Sequence, residues 1–100
     1  MKNYYYVYIL SNYTLSTLYI GVNNNIEKRI HEHRTNNHNG FTKKYHTTKL
    51  VYFEVYQSVK GAIQREKQLK NWHHSWKFNL IKSKNKRMEN LLEDPEINSG

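Results

Sequence analysis

The amino-acid sequence predicts an α+β fold, in which a small, mainly antiparallel three-stranded sheet is flanked by helices. Three short segments are rich in β-branched and aromatic residues, as strands are, and they lie at residues 5–10, 18–22 and 49–56. Three longer segments repeat apolar residues at helical spacing, at residues 24–35, 58–72 and 75–84. The resulting order, β-β-α-β-α-α, is typical of one sheet with helices packed against it.

Length and charge predict one basic domain followed by an acidic tail. One hundred residues are enough for a single core. Residues 1–92 hold all 16 lysines and arginines and five of the eight acidic residues, so their net charge is +11. Such an excess favours a polyanionic partner. Residues 93–100 are acidic, with one proline, and are predicted to be disordered, so the domain is expected to span residues 1–92.

Several classes of protein are excluded at this point. The chain has no cysteine, which excludes disulfides and thiolate zinc sites. The apolar run at residues 4–10 is too short for a membrane span or a signal peptide, so we expect no membrane association and a cytoplasmic location.

The first two strands are predicted to form a hairpin. In residues 5–10, Val7 and Ile9 point to one face and Tyr8 to the other. In residues 18–22, Ile20 points to one face and Tyr19 to the other, and the polar segment between the strands is a loop. Pairing the apolar faces therefore places Tyr8 and Tyr19 together on the opposite face.

The first helix is predicted to begin at Asn24. Asn24 is a favourable N-cap, and Glu27 three residues later completes a capping box. Ile26 points inward, and Arg29 and His33 lie beside it on the same side of the helix. A polar loop at residues 36–48 follows, in which two lysines are expected to contact phosphate: Lys43 and Lys44.

The helix at residues 58–72 has a carboxylate within its apolar stripe. Glu66 lies among inward-facing residues such as Ala62 and Leu69. An ionised, buried carboxylate without a partner would cost at least several kcal/mol. Two interpretations stay open: Glu66 binds a metal ion at a nucleic-acid site, or it lies at the edge of the stripe and pairs with Lys70 at i+4.

The last helix, at residues 75–84, is predicted to turn Trp76, Leu80 and Ile81 inward. Core packing of Trp72 and Trp76 is favoured, with base stacking as the alternative. Adjacent histidines on a helix point apart, so the pair at residues 73 and 74 does not predict a zinc site.

The predicted placement brings together polar groups suited to phosphodiester hydrolysis. A guanidinium such as Arg29 can fork onto phosphate oxygens, and a phenol can donate a proton or act as a base. His33 is an alternative base. Magnesium commonly needs only one or two protein carboxylates, so Glu66 alone suffices for one ion. Residues 1–92 contain no aspartate, which argues against a two-metal site.

In these features the sequence resembles the GIY-YIG nuclease family, and in particular its small stand-alone bacterial group related to the amino-terminal domain of the excinuclease ABC nuclease. The first motif is present as Tyr6-Val7-Tyr8 and the second as Tyr19-Ile20-Gly21. Further matches are the arginine and histidine of the first helix, the metal-binding glutamate and a later asparagine: Arg29, His33, Glu66 and Asn85. One departure is Tyr6, which stands where the first motif has glycine and adds bulk beside the site.

The resemblance implies a metal-dependent endonuclease that hydrolyses DNA by a one-metal mechanism, with branched or damaged DNA as candidate substrates and RNA as an alternative. Glu66 would coordinate one Mg²⁺ or Mn²⁺. Tyr8 or Tyr19 would help to activate water, Arg29 would steady the phosphate, and His33 would assist. The residues expected to contact substrate are Gly21, Lys43, Lys44 and Asn85.

Two other functions remain open from the sequence. The positive charge also fits a non-catalytic nucleic-acid-binding module that keeps the same fold. An aromatic sheet face also fits a protein-interaction module. A chain this short has no separate recognition domain, so weak sequence preference or a partner protein that supplies specificity is expected.

Overall fold

A computed structural model describes residues 4–34 and 45–91, and of residue 30 and residues 32–34 it describes the backbone alone. In these ranges the elements are β1 (Tyr5–Ser11), β2 (Leu18–Asn23), α1 (Ile26–Arg34), β3 (Lys49–Tyr56), α2 (Val59–Lys70) and α3 (His74–Lys84). The predicted α+β class and element order are confirmed. The tail at residues 93–100 and most of the loop at residues 36–48 lie outside the described residues.

The three strands form one antiparallel sheet in the order β2-β1-β3. Tyr8 in the central strand stands opposite Gly21 on one side and Phe53 on the other. The register between β1 and β3 shifts between Ile9 and Leu10. Because paired residues point to the same side, one face presents the tyrosines; we call this the tyrosine face, and its members are Tyr6, Tyr8, Leu10, Tyr19, Gly21, Leu50, Phe53 and Val55.

The opposite face of the sheet contains the main hydrophobic core. Val7, Ile9 and Ile20 are buried there against Ala62 and Leu69 of α2 and Ile81 of α3. Burying each large aliphatic side chain contributes about 1.5–3 kcal/mol. This packing fixes α2, and with it Glu66, against the sheet.

A smaller cluster on the tyrosine face holds α1 in place. Tyr8, Leu10 and Leu50 are buried, and Tyr19 and Ile26 pack against them. Ile26 is the first residue of α1. The contact therefore holds the start of α1, three residues before Arg29, over the strands that contain the two tyrosines.

The cap of α1 differs from the prediction by one residue. The side-chain oxygen of Asn25, not that of Asn24, accepts a hydrogen bond from the backbone N–H of Lys28 at 3.1 Å. The backbone N–H of Asn25 in turn donates to Oδ1 of Asn23 at 2.8 Å. Three consecutive asparagines can each cap a helix. The end of β2 at Asn23 leaves room for α1 to begin only at Ile26, so Asn25 becomes the cap.

The predicted inward orientation of Trp76 is wrong. Its side chain is 53% exposed and contacts Trp72 edge to face, with ring centroids 6.0 Å apart. Ile81 is the buried residue of α3. Five residues correspond to a rotation of about 140° between the two positions on the helix, so Trp76 cannot share the buried side. Leu80 and Trp72 do pack against the core.

The segment after α3 is tied to the start of β3. The backbone N–H of Leu91 donates to the carbonyl of Leu50 at 2.8 Å. Within residues 4–34 and 45–91, no helix is long and apolar enough to cross a membrane.

Candidate active site

Tyr8 and Arg29 form the centre of the candidate site. Tyr8 is buried in the middle of the central strand, and Nε of Arg29 donates to its hydroxyl at 3.4 Å. Tyr19 lies beside Tyr8, with ring centroids 6.3 Å apart and an angle of 35° between the rings. Two phenols and a guanidinium thus meet on the tyrosine face, as the sequence predicted.

Gly21 is required for this arrangement by its lack of a side chain. A Cβ atom built at Gly21 would lie 2.5 Å from the hydroxyl oxygen of Tyr8 and 3.1 Å from Cε1 of Tyr19. The Tyr8 ring therefore extends across the backbone of β2 at this glycine. The backbone of Gly21 does not have a positive φ, so the requirement is for space and not for an unusual conformation.

The electrostatics of the cluster keep Tyr8 neutral and Arg29 charged. Burial raises the pKa of the Tyr8 phenol to about 12, against a lowering by the Arg29 hydrogen bond. The neighbouring Tyr19 and Glu66 add to the rise. The hydrogen bond to Tyr8 raises the pKa of Arg29, with a further contribution from Tyr19. At neutral pH the site therefore presents a protonated phenol beside a cation.

Glu66 fits both interpretations that the sequence left open. Its carboxylate lies 3.6 Å from Nζ of Lys70, as an i+4 ion pair. The Glu66 side chain is nevertheless only 17% exposed, and its charge opposes ionisation of Tyr8. The carboxylate therefore faces the phenol cluster and does not point into open solvent.

A cleft runs beside this cluster at the β2 edge of the sheet. It has a volume of about 270 Å³ and is lined by Leu18, Tyr19, Ile20, Lys70 and Lys77. Because Lys70 also pairs with Glu66, the cleft joins the carboxylate to two cations and one of the phenols. Such a basic cleft suits a phosphate group.

The position of Glu66 along α2 is fixed by a network that was not predicted from the sequence. Arg65, the preceding residue, binds Glu54 of β3 with two hydrogen bonds, Nε to Oε1 at 2.9 Å and Nη2 to Oε2 at 3.0 Å. Tyr56 donates to Oε1 of Glu54 at 2.7 Å, and Tyr52 donates to Oε2. The pattern Tyr-x-Glu-x-Tyr, which places all three on one strand face, was the available signal.

The remaining predicted residues are placed as follows. His33 lies in α1, but its side chain is outside the described residues, as are Lys43 and Lys44 altogether. The Asn85 side chain donates to the carbonyls of Val51 and Glu89 at 3.0 and 2.8 Å, and it accepts from the N–H of Glu89 at 3.1 Å. Asn85 thus binds the backbone of β3, at the opposite edge of the sheet from β2.

The donor set fits one divalent ion of the magnesium type. Among the residues described, no group of three or more His, Cys, Asp or Glu side chains comes together. Glu66 supplies a single carboxylate beside phenol oxygens. This matches the oxygen-donor preference of Mg²⁺ and Mn²⁺, which take their other ligands from water and substrate phosphate.

Comparison with known proteins supports the resemblance found in the sequence. A model of the GIY-YIG catalytic domain matches residues 4–79. A UPF0213 protein of Syntrophus aciditrophicus is 39% identical over 88 residues, which cover 87% of this chain and 98% of that protein. A UPF0213 protein of Clostridium perfringens is 40% identical over 93 residues, which cover 93% and 97%.

A solved structure shows the same fold. The solution NMR structure of a UPF0213 protein from Bacillus halodurans superposes with a TM-score of 0.56 at 25% sequence identity. The match covers 89% of this chain and 94% of that one.

Proposed function

This chain belongs to the GIY-YIG family, and on that premise we propose that it is an endonuclease that hydrolyses phosphodiester bonds of DNA with the help of one divalent ion. The observation that carries the proposal is the cluster itself. Arg29 binds the phenol of Tyr8, Tyr19 lies beside both, and the carboxylate of Glu66 faces them on a strongly basic chain.

Arg29 is the group that would hold the scissile phosphate. Its guanidinium stays charged, and its Nε is directed to Tyr8, which leaves the planar fork aligned beside the two phenols. A guanidinium fork matches the geometry of two phosphate oxygens, and it stabilises the charge that develops on them as the bond breaks.

The two phenols would divide the proton transfers between them. Because burial keeps Tyr8 protonated and its oxygen accepts from Arg29, its own proton is directed elsewhere and can be donated to a phosphate or leaving oxygen. Tyr19 lines the open cleft at the β2 edge, where water enters. Tyr19 is therefore the better placed phenol to orient the attacking water.

Glu66 would hold the divalent ion. When bound, Mg²⁺ or Mn²⁺ supplies positive charge that offsets the charge on the phosphoryl oxygens. Lys70 would keep the carboxylate ionised and turned to the cleft in the absence of the ion. The two lysines of the cleft, Lys70 and Lys77, would bind the phosphate backbone on either side of the cut.

The test is cleavage of plasmid, branched and single-stranded DNA, and of an RNA strand, with Mg²⁺ or Mn²⁺. Glu66→Gln and Arg29→Ala are expected to lower the cleavage rate at least about 100-fold, since each removes charge stabilisation of the transition state. Gln64→Ala, an exposed position on the same helix, is the control and is expected to keep the wild-type rate. Equal cleavage by all four proteins would reject the proposal.

A non-catalytic nucleic-acid-binding module is the second candidate, and the Glu66–Lys70 ion pair is the observation that favours it. A carboxylate already paired with a lysine needs no metal. This function predicts salt-sensitive binding that EDTA does not change, together with no nicking of any substrate by the wild-type chain.

A further inference from the structure

The tyrosine face continues past the catalytic cluster into exposed aromatic surface. Phe53 of β3 stands opposite Tyr8, and Val55 stands opposite Tyr6. Phe53 is 39% exposed although it is a large apolar residue, and Val55 is exposed as well. The rings of Tyr6 and Phe53 meet edge to face, with centroids 6.1 Å apart and an angle of 64°.

This aromatic pair lies on the opposite side of Tyr8 from the cleft. The Tyr8 ring extends over Gly21 towards β2, whereas Tyr6 contacts Phe53 of β3. Directly opposed residues in an antiparallel sheet have Cα atoms only about 4.5–5.5 Å apart. The exposed rings therefore begin within one residue of the phenol that binds Arg29.

The pair is a feature of this chain and not of the family motif. Tyr6 occupies the position where the first motif has glycine, and a glycine has no ring to place against Phe53. An exposed apolar patch calls for a partner. The chain has a net charge of +8, so the partner that suits this surface is flat, aromatic and attached to a polyanion.

We propose that Tyr6 and Phe53 form a stacking platform for an unpaired nucleobase beside the phosphate held at Arg29, so that the preferred substrate is single-stranded or locally unpaired nucleic acid. The position of the phosphate rests on the proposed function. Stacking on aromatic side chains is tolerant of base identity and needs a base whose face is free. A base inside a duplex already stacks on its neighbours and cannot use the platform.

The experiment measures binding without cleavage. Phe53→Leu is made in a Glu66→Gln background, and fluorescence anisotropy in EDTA reports the affinity for a labelled single-stranded oligonucleotide and for the same sequence as a blunt duplex. Leucine keeps apolar bulk but has no ring. The single-strand affinity is expected to fall about fivefold to 100-fold, and the duplex affinity less than twofold.

Two further variants make the result specific. Phe53→Trp, which keeps an aromatic face, is expected to restore the single-strand affinity. Tyr13→Ala removes an exposed aromatic ring from the loop between β1 and β2, away from the platform, and is expected to change neither affinity. Circular dichroism of every variant confirms that the fold is retained.

Three outcomes would overturn the platform: unchanged binding by Phe53→Leu, equal weakening for both substrates, or a concentration-dependent oligomer that Phe53→Leu dissociates. The last would assign the surface to contacts between copies of the chain. Because no metal or cleavage is involved, failure of the platform is separate from failure of the endonuclease. Absence of nicking by the wild-type chain rejects the endonuclease and leaves the binding result standing.

Discussion

Gly21 shows how one missing methyl group determines the position of a functional ring. The hydroxyl of Tyr8 occupies the space that a Cβ at Gly21 would need. The same absence lets Tyr19 approach from the neighbouring position. The arrangement explains in physical terms why the second motif of this chain ends in glycine: any side chain there would push Tyr8 away from Arg29.

Replacing Gly21 by alanine is therefore expected to impair both stability and function. Forcing a methyl group into this contact typically costs about 1–3 kcal/mol, and it would displace the Tyr8 hydroxyl from Arg29. Denaturant unfolding measures the loss, and DNA cleavage should fall in parallel.

Gly61→Ala is the matched control for that change. Gly61 lies within α2, and a Cβ there would meet Cδ1 of Tyr56 at 3.6 Å, which is an ordinary contact. Alanine in a helix is favoured over glycine by about 0.5–1 kcal/mol, so this variant is expected to gain stability. If Gly21→Ala proved as stable and as active as Gly61→Ala, the steric role of Gly21 would be disproved.

Helix α1 depends on its cap because little else secures its start. It spans nine residues and contains Arg29, and its first turn is fixed by Ile26 on the tyrosine face and by the Asn25 side chain. Asn25→Ala is expected to destabilise the protein by about 1 kcal/mol, measured by thermal unfolding. Asn24→Ala, at an exposed position next to it, should change stability by less than about 0.5 kcal/mol. The reverse order of the two effects would restore Asn24 as the cap.

The bond between β3 and α2 gives the protein a defined response to acid. Burial raises the pKa of Glu54, but the Arg65 guanidinium and the two phenols lower it further, so that the net pKa is below its usual range. A carboxylate with a depressed pKa in the folded state stabilises the fold fully above its unfolded pKa of about 4.3, and this contribution is lost as the pH falls through the folded value.

Glu54→Gln tests this response. The variant is expected to be less stable than the wild type at pH 7, since glutamine leaves Arg65 without its anion. The gap should narrow as the pH falls below about 4, because the wild type then loses its own carboxylate. Urea unfolding at several pH values measures it, with Glu89→Gln, an exposed carboxylate, as the control. A gap that stays constant down to pH 2 would show that the ionisation of Glu54 contributes nothing.

How much the sequence could predict differs between periodic features and packing. Alternation and helical spacing sufficed to place all six elements and to bring Tyr8, Tyr19, Arg29 and Glu66 together. The cap of α1 and the orientation of Trp76 were missed because each depends on a one-residue choice that tertiary contacts make. The Glu54 network was missed because an acidic residue on a strand was not matched with an arginine eleven positions later.

The molecule as a whole is expected to bind nucleic acid mainly through charge. With roughly four phosphate contacts from groups such as Arg29, Lys70 and Lys77, the logarithm of affinity should fall with the logarithm of salt concentration with a slope of about −3 for single strands. Anisotropy titrations between 50 and 300 mM NaCl would measure the slope. Lys77→Ala should make it shallower by about 0.7, whereas Lys60→Ala, exposed at the start of α2, should not. A slope near zero would exclude phosphate contact as the source of binding.

The central position of β1 has a consequence for the order in which the protein opens. This strand is hydrogen bonded on both sides, to β2 and to β3, and Tyr8 lies at its middle. Its amide protons should be among the last to exchange with deuterated solvent, whereas those of the nine-residue α1 should exchange sooner. The phenol would then be a fixed anchor, and the arginine a group that swings towards or away from it on a faster clock.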